Sequence, residues 1–323
     1  MLMRYLPTKT GLKFMALRNP AFILSALMIM ASVALLATRG LNFGIDFAGG
    51  SLIEIEKPID TEVEDVRAVV NGLGLADVGV TEAVGTGADP QPVYVIKFRA
   101  PAEAEDVETA QQSANDDVRA ALTDAFSLTE DDFRSSAAVG PKVSGELFTA
   151  GITALGVALV LMLGYIWFRF EWQFSVGAVA ALAHDVMITM GMFALVQLEF
   201  NLTTIAALLT IIGYSMNDTV VVFDRVREEM RRYKKMPLVE VIDLALNGTL
   251  TRTLLTSGTT LLALLAIFFL GGPVLRGMSF ALIFGVLIGT YSSIFVASAI
   301  LNTIGVAREK KSLDDVPGFQ GAP

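Results

Sequence analysis

The chain has 323 residues, is 53% hydrophobic and 18% charged, and has a mean hydropathy of +0.58; a soluble domain is about 45–50% apolar and about 25% charged. That composition excludes a disordered chain and an ordinary cytosolic enzyme, and makes an integral membrane protein the first expectation. The absence of cysteine excludes disulfides, zinc–thiolate sites, iron–sulfur clusters and cysteine nucleophiles, and a single histidine excludes a multi-histidine metal centre.

The net charge of −9 is unevenly spread: residues 41–145 hold seven Lys and Arg against twenty Asp and Glu, a net of −13, and the remainder carries +4. An acidic, soluble-looking segment is thus set in a basic, apolar frame. The basic residues fall where membrane topology places them, so no nucleic-acid partner is expected.

Six apolar runs reach the roughly 17–25 residues a membrane helix needs: 21–38, 147–168, 174–198, 202–223, 254–270 and 278–305. The first ends in Thr38-Arg39-Gly40 with no small-x-small site after it, so it reads as a retained span and not a cleaved signal. Lys and Arg collect before span one (Arg4, Lys9, Lys13, Arg18), between spans two and three (Arg169), after span four (Arg225 to Lys235) and after span six (Arg308, Lys310, Lys311). By the positive-inside rule both termini are cytoplasmic and the acidic segment lies outside, in a periplasm-like space. The division is a cytoplasmic segment 1–20, span one, an outer domain 39–145, spans two to six over 146–306, and a Gly-, Pro- and Asp-rich tail 307–323 expected to be disordered.

Within the outer domain the block LNFGIDFAGG at 41–50 reads as a turn-rich linker in which Asp46 caps or binds. A strand at 51–57 buries Ile53 and Ile55, and Thr61 with Glu64 forms a capping box ahead of the stripe Val63, Val66, Val70, Leu73. Strands follow at 78–84 and 92–98, then a long amphipathic helix at 103–126 and a last strand near 133–139. The order βαββαβ is the split βαβ, ferredoxin-like α+β pattern. Between spans four and five, residues 237–250 set Val241, Leu244, Ala245 and Leu250 against Glu240, Asp243 and Asn247, which predicts a cytoplasmic surface helix in contact with lipid.

Ionisable groups inside spans are costly, roughly 2.5–3.5 kcal/mol each on insertion scales, and so point to function. They are His184 and Asp185 in span three, Asp218 in span four and Arg252 at the start of span five. Asp218 lies six residues before Asp224, on the order of 9 Å into the core. Arg252 enters from the same side, so an Asp218–Arg252 pair is expected to act as a protonation switch or as a static register lock. Thr256 shares the face of Arg252, and Ser215 and Asn217 flank Asp218, extending a polar path. His184 and Asp185, near mid-membrane, join that path or serve packing. Gly285 and Gly289 predict close helix packing in span six.

Several motifs together resemble the SecF family, the smaller, SecD-partnered membrane subunits of the bacterial Sec protein-export machinery. They are LNFGIDFAGG, Ala183-His184-Asp185-Val186, the run IGYSMNDTVVVFDR at 212–225, Thr251-Arg252-Thr253, Thr256-Ser257-Gly258-Thr259-Thr260 and GTYSSIFVA at 289–297. The resemblance covers residues 10–307; Ala48 stands where many relatives carry threonine. It implies six spans with one periplasmic domain, and a twelve-span transporter of the resistance–nodulation–division type when joined to SecD. It further implies that proton flow drives the periplasmic domains to assist unfolded secretory proteins emerging from the SecYEG translocon. Asp218 and Arg252 are implied in the proton path, SecD supplies an equivalent Asp, and no cofactor beyond the proton gradient is expected. Two other classes fit the bare residues. A scaffold tethering SecD to the translocon needs no proton chemistry. An intramembrane aspartyl protease would use Asp185 and Asp218, but Asp218 lies in Ser-Met-Asn-Asp and not Gly-x-Gly-Asp, and Arg252 opposes dyad chemistry.

Overall fold

The computed structural model describes residues 11–84, 91–101 and 107–306. The expectations for 1–10, for the start of the helix at 103–106 and for the tail 307–323 lie outside these residues.

One 3-10 turn, Phe14–Leu17, leads into α1, Arg18–Thr38. A short strand β1, Asn42–Phe43, and a single helical turn α2, Ile45–Ala48, follow. The sheet domain comprises β2 (Gly50–Glu56), α3 (Val63–Asn71), β3 (Ala76–Val84), β4 (Pro92–Arg99), α4 (Val107–Phe126) and β5 (Phe133–Val139). Its antiparallel sheet runs β3-β4-β2-β5. The core forms from strand residues Ile53, Ile55, Val80, Tyr94, Ile96 and Phe98 against Val66, Val70, Val118 and Leu122 of the two helices. Gln111 of α4 is buried in this core without cost, because Ala100 N–H donates to its Oε1 and its Nε2 donates to Ser51 Oγ, both at 2.9 Å. The cap of α3 lies one residue beyond the expected one: Glu62 caps and Asp65 answers its N–H at 2.9 Å. Thr61 is buried instead, its carbonyl taken by the Tyr94 hydroxyl at 2.6 Å.

Among the described residues, six helices are long and apolar enough to span a membrane. After α1 they are α5 (Pro141–Arg169), α6 (Trp172–Val196), α7 (Leu202–Arg232), α8 (Leu238–Leu270) and a last span built of α9 (Gly272–Ser292), a π turn (Ser293–Ala297) and α10 (Ser298–Ile304). A two-residue strand β6, Glu199–Phe200, precedes α7 and pairs in parallel with β1. The chain is therefore an α-helical polytopic membrane protein with an α+β domain between its first two spans.

Two helices of the bundle also differ from the sequence expectation. Residues 237–250 are not a separate surface helix; they are the first third of α8. Val241, Ile242, Ala245 and Leu246 are buried in the bundle, and the polar residues assigned to solvent hold the N-terminal strap: Met15 N–H donates to Asp243 at 2.9 Å and Leu12 N–H to Asn247 at 3.0 Å. With that face packed, nothing turns the helix flat onto a membrane. The second is the reach of α7, nine residues past the expected end at 223. Arg225 pairs with Glu228 at 2.6 Å and Glu229 at 2.5 Å, and Arg231 and Arg232 meet the negative end of the helix dipole, so the helix persists where apolarity stops.

Candidate functional site: two carboxylates in the helix bundle

The site lies where α6, α7, α8 and the last span meet. Close contact of α7 with α9 is set by small residues: a Cβ on Gly285 would fall 2.4 Å from Ile211, and one on Gly289 would fall 3.1 Å from Ser215. This brings the Tyr291-Ser292-Ser293 run against the acidic residues. The π turn begins there, and such turns often occur at functional sites. Consecutive serines consequently serve different helices: Ser292 donates to Asp185 Oδ2 at 2.7 Å, and Ser293 donates to Asp218 Oδ2 at 2.5 Å.

Asp185 has no exposed surface. Its Oδ2 also accepts from Ser215 at 2.5 Å, and His184 Nδ1 lies 2.9 Å from its Oδ1. The other ring nitrogen, Nε2, is 3.1 Å from Ser25 of α1; Ser25 in turn is 3.0 Å from the Tyr291 hydroxyl, which donates to Ala21 carbonyl at 2.9 Å. The imidazole also stacks on the Tyr291 ring, with centroids 5.9 Å apart.

Asp218 is half-buried, and its Oδ1 accepts from Thr253 of α8 at 2.7 Å. Arg252, the expected partner, forms no ion pair with it among the described residues. Arg252 is exposed on the outer face of α8 with Thr256, whose hydroxyl turns back to the Arg252 carbonyl at 2.9 Å. The reason is helical phase: one residue is a rotation of about 100°, and the face toward α7 belongs to Thr253. Asn217 is likewise exposed, and Ser215 serves Asp185 and not Asp218. Of the predicted residues the structure joins His184, Asp185 and Ser215 in one network, sets Asp218 in a second, and leaves Asn217, Arg252 and Thr256 facing outward. Sequence reading assigns no site role to Ser25, Thr253, Tyr291, Ser292 or Ser293, although the last four lie in the motifs Thr251-Arg252-Thr253 and GTYSSIFVA. The signal was a run of hydroxyl side chains inside otherwise apolar spans. Among the described residues no group of three or more His, Asp or Glu has the arrangement of a metal site.

The LNFGIDFAGG block is a structural joint. Asp46 Oδ2 accepts the Leu202 N–H at 3.0 Å, placing a carboxylate on the positive end of α7, beside the Asn201 cap that accepts from Thr204 N–H at 3.1 Å. Asn42 donates to the Gln197 carbonyl at 2.9 Å, and Lys97 of β4 donates to the Phe43 carbonyl at 2.8 Å. Rings of Phe43, Phe47, Phe148 and Phe200 pack edge to face or tilted around it, with centroids 5.6–6.3 Å apart. The sheet domain is thus fastened to the same helix that carries Asp218.

The family model for the SecD/SecF protein-export membrane protein C-terminal region matches residues 118–307, and the model for the SecD/SecF GG motif matches 34–56. A protein translocase subunit SecF from Cereibacter sphaeroides is 44% identical over 320 residues, 98% of this chain and 96% of that protein. One from Magnetococcus marinus is 47% identical over 294 residues, covering 90% and 91%. The chain belongs to the SecF family. Among solved structures, SecDF from Thermus thermophilus, a translocon-associated membrane protein, superposes with a TM-score of 0.78 at 34% identity over 93% of this chain. This SecF-family chain spans 39% of that longer chain, about two fifths of its length. The GG motif match falls on the joint described above, so the family signature coincides with the contact between sheet domain and α7.

Proposed function

We propose that the chain is the SecF half of a SecD–SecF export complex that uses the proton gradient to assist translocation through SecYEG. In this reading it sits in the bacterial cytoplasmic membrane with both termini cytoplasmic and the sheet domain in the periplasm, against emerging unfolded secretory segments. Asp218 binds and releases the proton.

The observation that carries the reading is the setting of Asp218. An intramembrane carboxylate without a cation is expensive when charged. Its two hydrogen-bond partners among the described residues, Thr253 and Ser293, are hydroxyls, and a hydroxyl either donates to a carboxylate or accepts from a carboxylic acid by rotating. The site therefore accommodates both protonation states without rebuilding. Outward-facing Asn217 of α7 and Arg252 of α8 leave polar surface that lipid would not satisfy. SecD is assigned to cover it, bringing its own Asp toward Arg252. The joint at 41–50 supports transmission: a shift of α7 on proton uptake moves Leu202, and with it Asp46 and the sheet domain.

The test is export into inverted vesicles containing SecD, SecYEG and either the native chain or Asp218→Asn, with and without a proton gradient. The gradient-dependent part of export is expected to vanish in the variant. Gradient-stimulated export at the native level would instead support the scaffold role.

A further inference from the structure

We propose that His184 and Asp185 together form a second proton-holding site, and that α1 senses its proton through Ser25 and Tyr291. This goes beyond the reading of Asp218 and does not depend on it.

One chain of contacts, each with a single available donor, fixes where the protons sit. Ala21 C=O only accepts, so the Tyr291 hydroxyl 2.9 Å away donates to it. A phenol has one proton, so the 3.0 Å contact between Ser25 and Tyr291 is donated by Ser25. Serine has one proton too, so the 3.1 Å contact between Ser25 Oγ and His184 Nε2 is donated by the imidazole. The ring proton is thereby placed on Nε2. The 2.9 Å contact between Nδ1 and Asp185 Oδ1 then needs another proton, because two bare lone pairs repel. That proton sits on Nδ1, giving imidazolium and carboxylate, or on Oδ1, giving a neutral ring and a carboxylic acid. Either way the pair holds one proton more than a neutral histidine beside a carboxylate. Ser215 and Ser292 donating to Oδ2 fit both forms.

The surroundings favour this net-neutral pair. Neither side chain is more than 2% exposed, and a buried charge without a partner is strongly disfavoured. The groups facing the pair are Ser25 from α1, Ser215 from α7, and Ser292 and Tyr291 from the last span. The next carboxylate, Asp218, is held by the neighbouring Ser293. Among the described residues no Lys or Arg forms an ion pair with Asp185.

Loss of the proton has a defined consequence. The pair releases the Nε2 proton to the bulk phase, and the remaining proton, whether it began on Nδ1 or on Oδ1, ends on Nδ1 against Asp185. Ser25 rotates to donate to Nε2, Tyr291 rotates to donate to Ser25, and Ala21 loses the Tyr291 bond. That bond ties the last span to the first turn of α1, the helix that leads into the joint at 41–50.

His184 is the sole histidine, so the full chain labelled with nitrogen-15 histidine and carbon-13 aspartate, in lipid bilayers, reports this ring without overlap in solid-state NMR. At neutral pH we expect either both ring nitrogens protonated, or Nε2–H with Asp185 as a carboxylic acid, identified by the carboxyl signal that Asp185→Asn removes. Raising the pH should convert the ring to the Nδ1–H form. A neutral Nδ1–H ring at neutral pH, or Nε2–H beside an ionised Asp185, overturns the proposal. Tyr291→Phe frees the Ser25 proton for Nε2, so conversion should occur at lower pH; an unchanged conversion overturns the sensing role of α1. Ser25→Ala deletes the partner of Nε2 in both forms, so adding Tyr291→Phe to it should move the conversion no further; a further shift in that double variant also overturns the sensing role. Export by Asp218→Asn decides the reading of Asp218 alone, and the ring signal in that variant should remain native.

Discussion

Asp218 and Arg252 are separated in this chain by the phase of α8, and that changes what their variants should do. An ion pair between them would make Asp218→Asn plus Arg252→Met nearly benign, because no unpaired buried charge would remain. With Thr253 and Ser293 as the actual partners of Asp218, the double variant is expected to insert and assemble but to lack gradient-dependent export, like each single variant. Recovery to the native level would contradict separate roles. Gly50 makes a second residue-level case. Its φ is +125°, and a Cβ there would fall 2.8 Å from the Phe98 carbonyl oxygen of the paired strand. Gly50→Ala is expected to destabilise the sheet domain by about 1–3 kcal/mol, read as a lower thermal unfolding midpoint of the purified chain. A midpoint within error of the native one would refute the steric account.

Among the elements, turns and caps shape the sheet domain itself. The turn before β5 is a 3-10 helix, Glu130–Asp132, in which Asp132 accepts from both the backbone N–H and the hydroxyl of Thr129, at 2.6 and 2.8 Å. These bonds, the backbone one first, hold the Asp132 carboxyl below its usual 3.8. A carboxylate whose folded pKa is depressed adds stability that is complete above the unfolded value and disappears as pH falls through the folded one. The native chain should therefore exceed Asp132→Asn in thermal midpoint at neutral pH, and the gap should close below the ordinary carboxylate range. A gap independent of pH would refute this assignment. The fused α8 belongs to this scale as well: Asp243 and Asn247 read as solvent residues in sequence, yet they bind the N-terminal strap.

For the whole molecule, the proposed topology places the sheet domain and the end of α7 on opposite sides of the membrane. Gln112 and Lys234 are both exposed, and the chain has no native cysteine. Single cysteines at these positions should react with an impermeant thiol reagent from opposite faces of sealed vesicles. Reaction of both from one face would overturn the orientation. The same scale explains the wide apolar surface of α5, where Val160, Leu161, Trp167 and Phe168 are 67–94% exposed; such residues need lipid or another membrane subunit around them.

Composition and residue spacing alone specify the membrane class, the six spans, the βαββαβ order of the inserted domain and the ionisable residues in the core. These follow from local rules: span length from bilayer thickness, strands and helices from the period of apolar residues, and functional candidates from the cost of charge in lipid. Which groups meet depends on how the helices pack. One residue of helical phase gave Asp218 to Thr253 and turned Arg252 outward. The π turn, which no propensity marks, gave consecutive serines to two different carboxylates. Asp46 reached the start of α7 across 156 residues, and Tyr291 reached Ala21 across 270. Such contacts depend on helix rotation and close approach between distant segments, and a linear pattern holds information on neither.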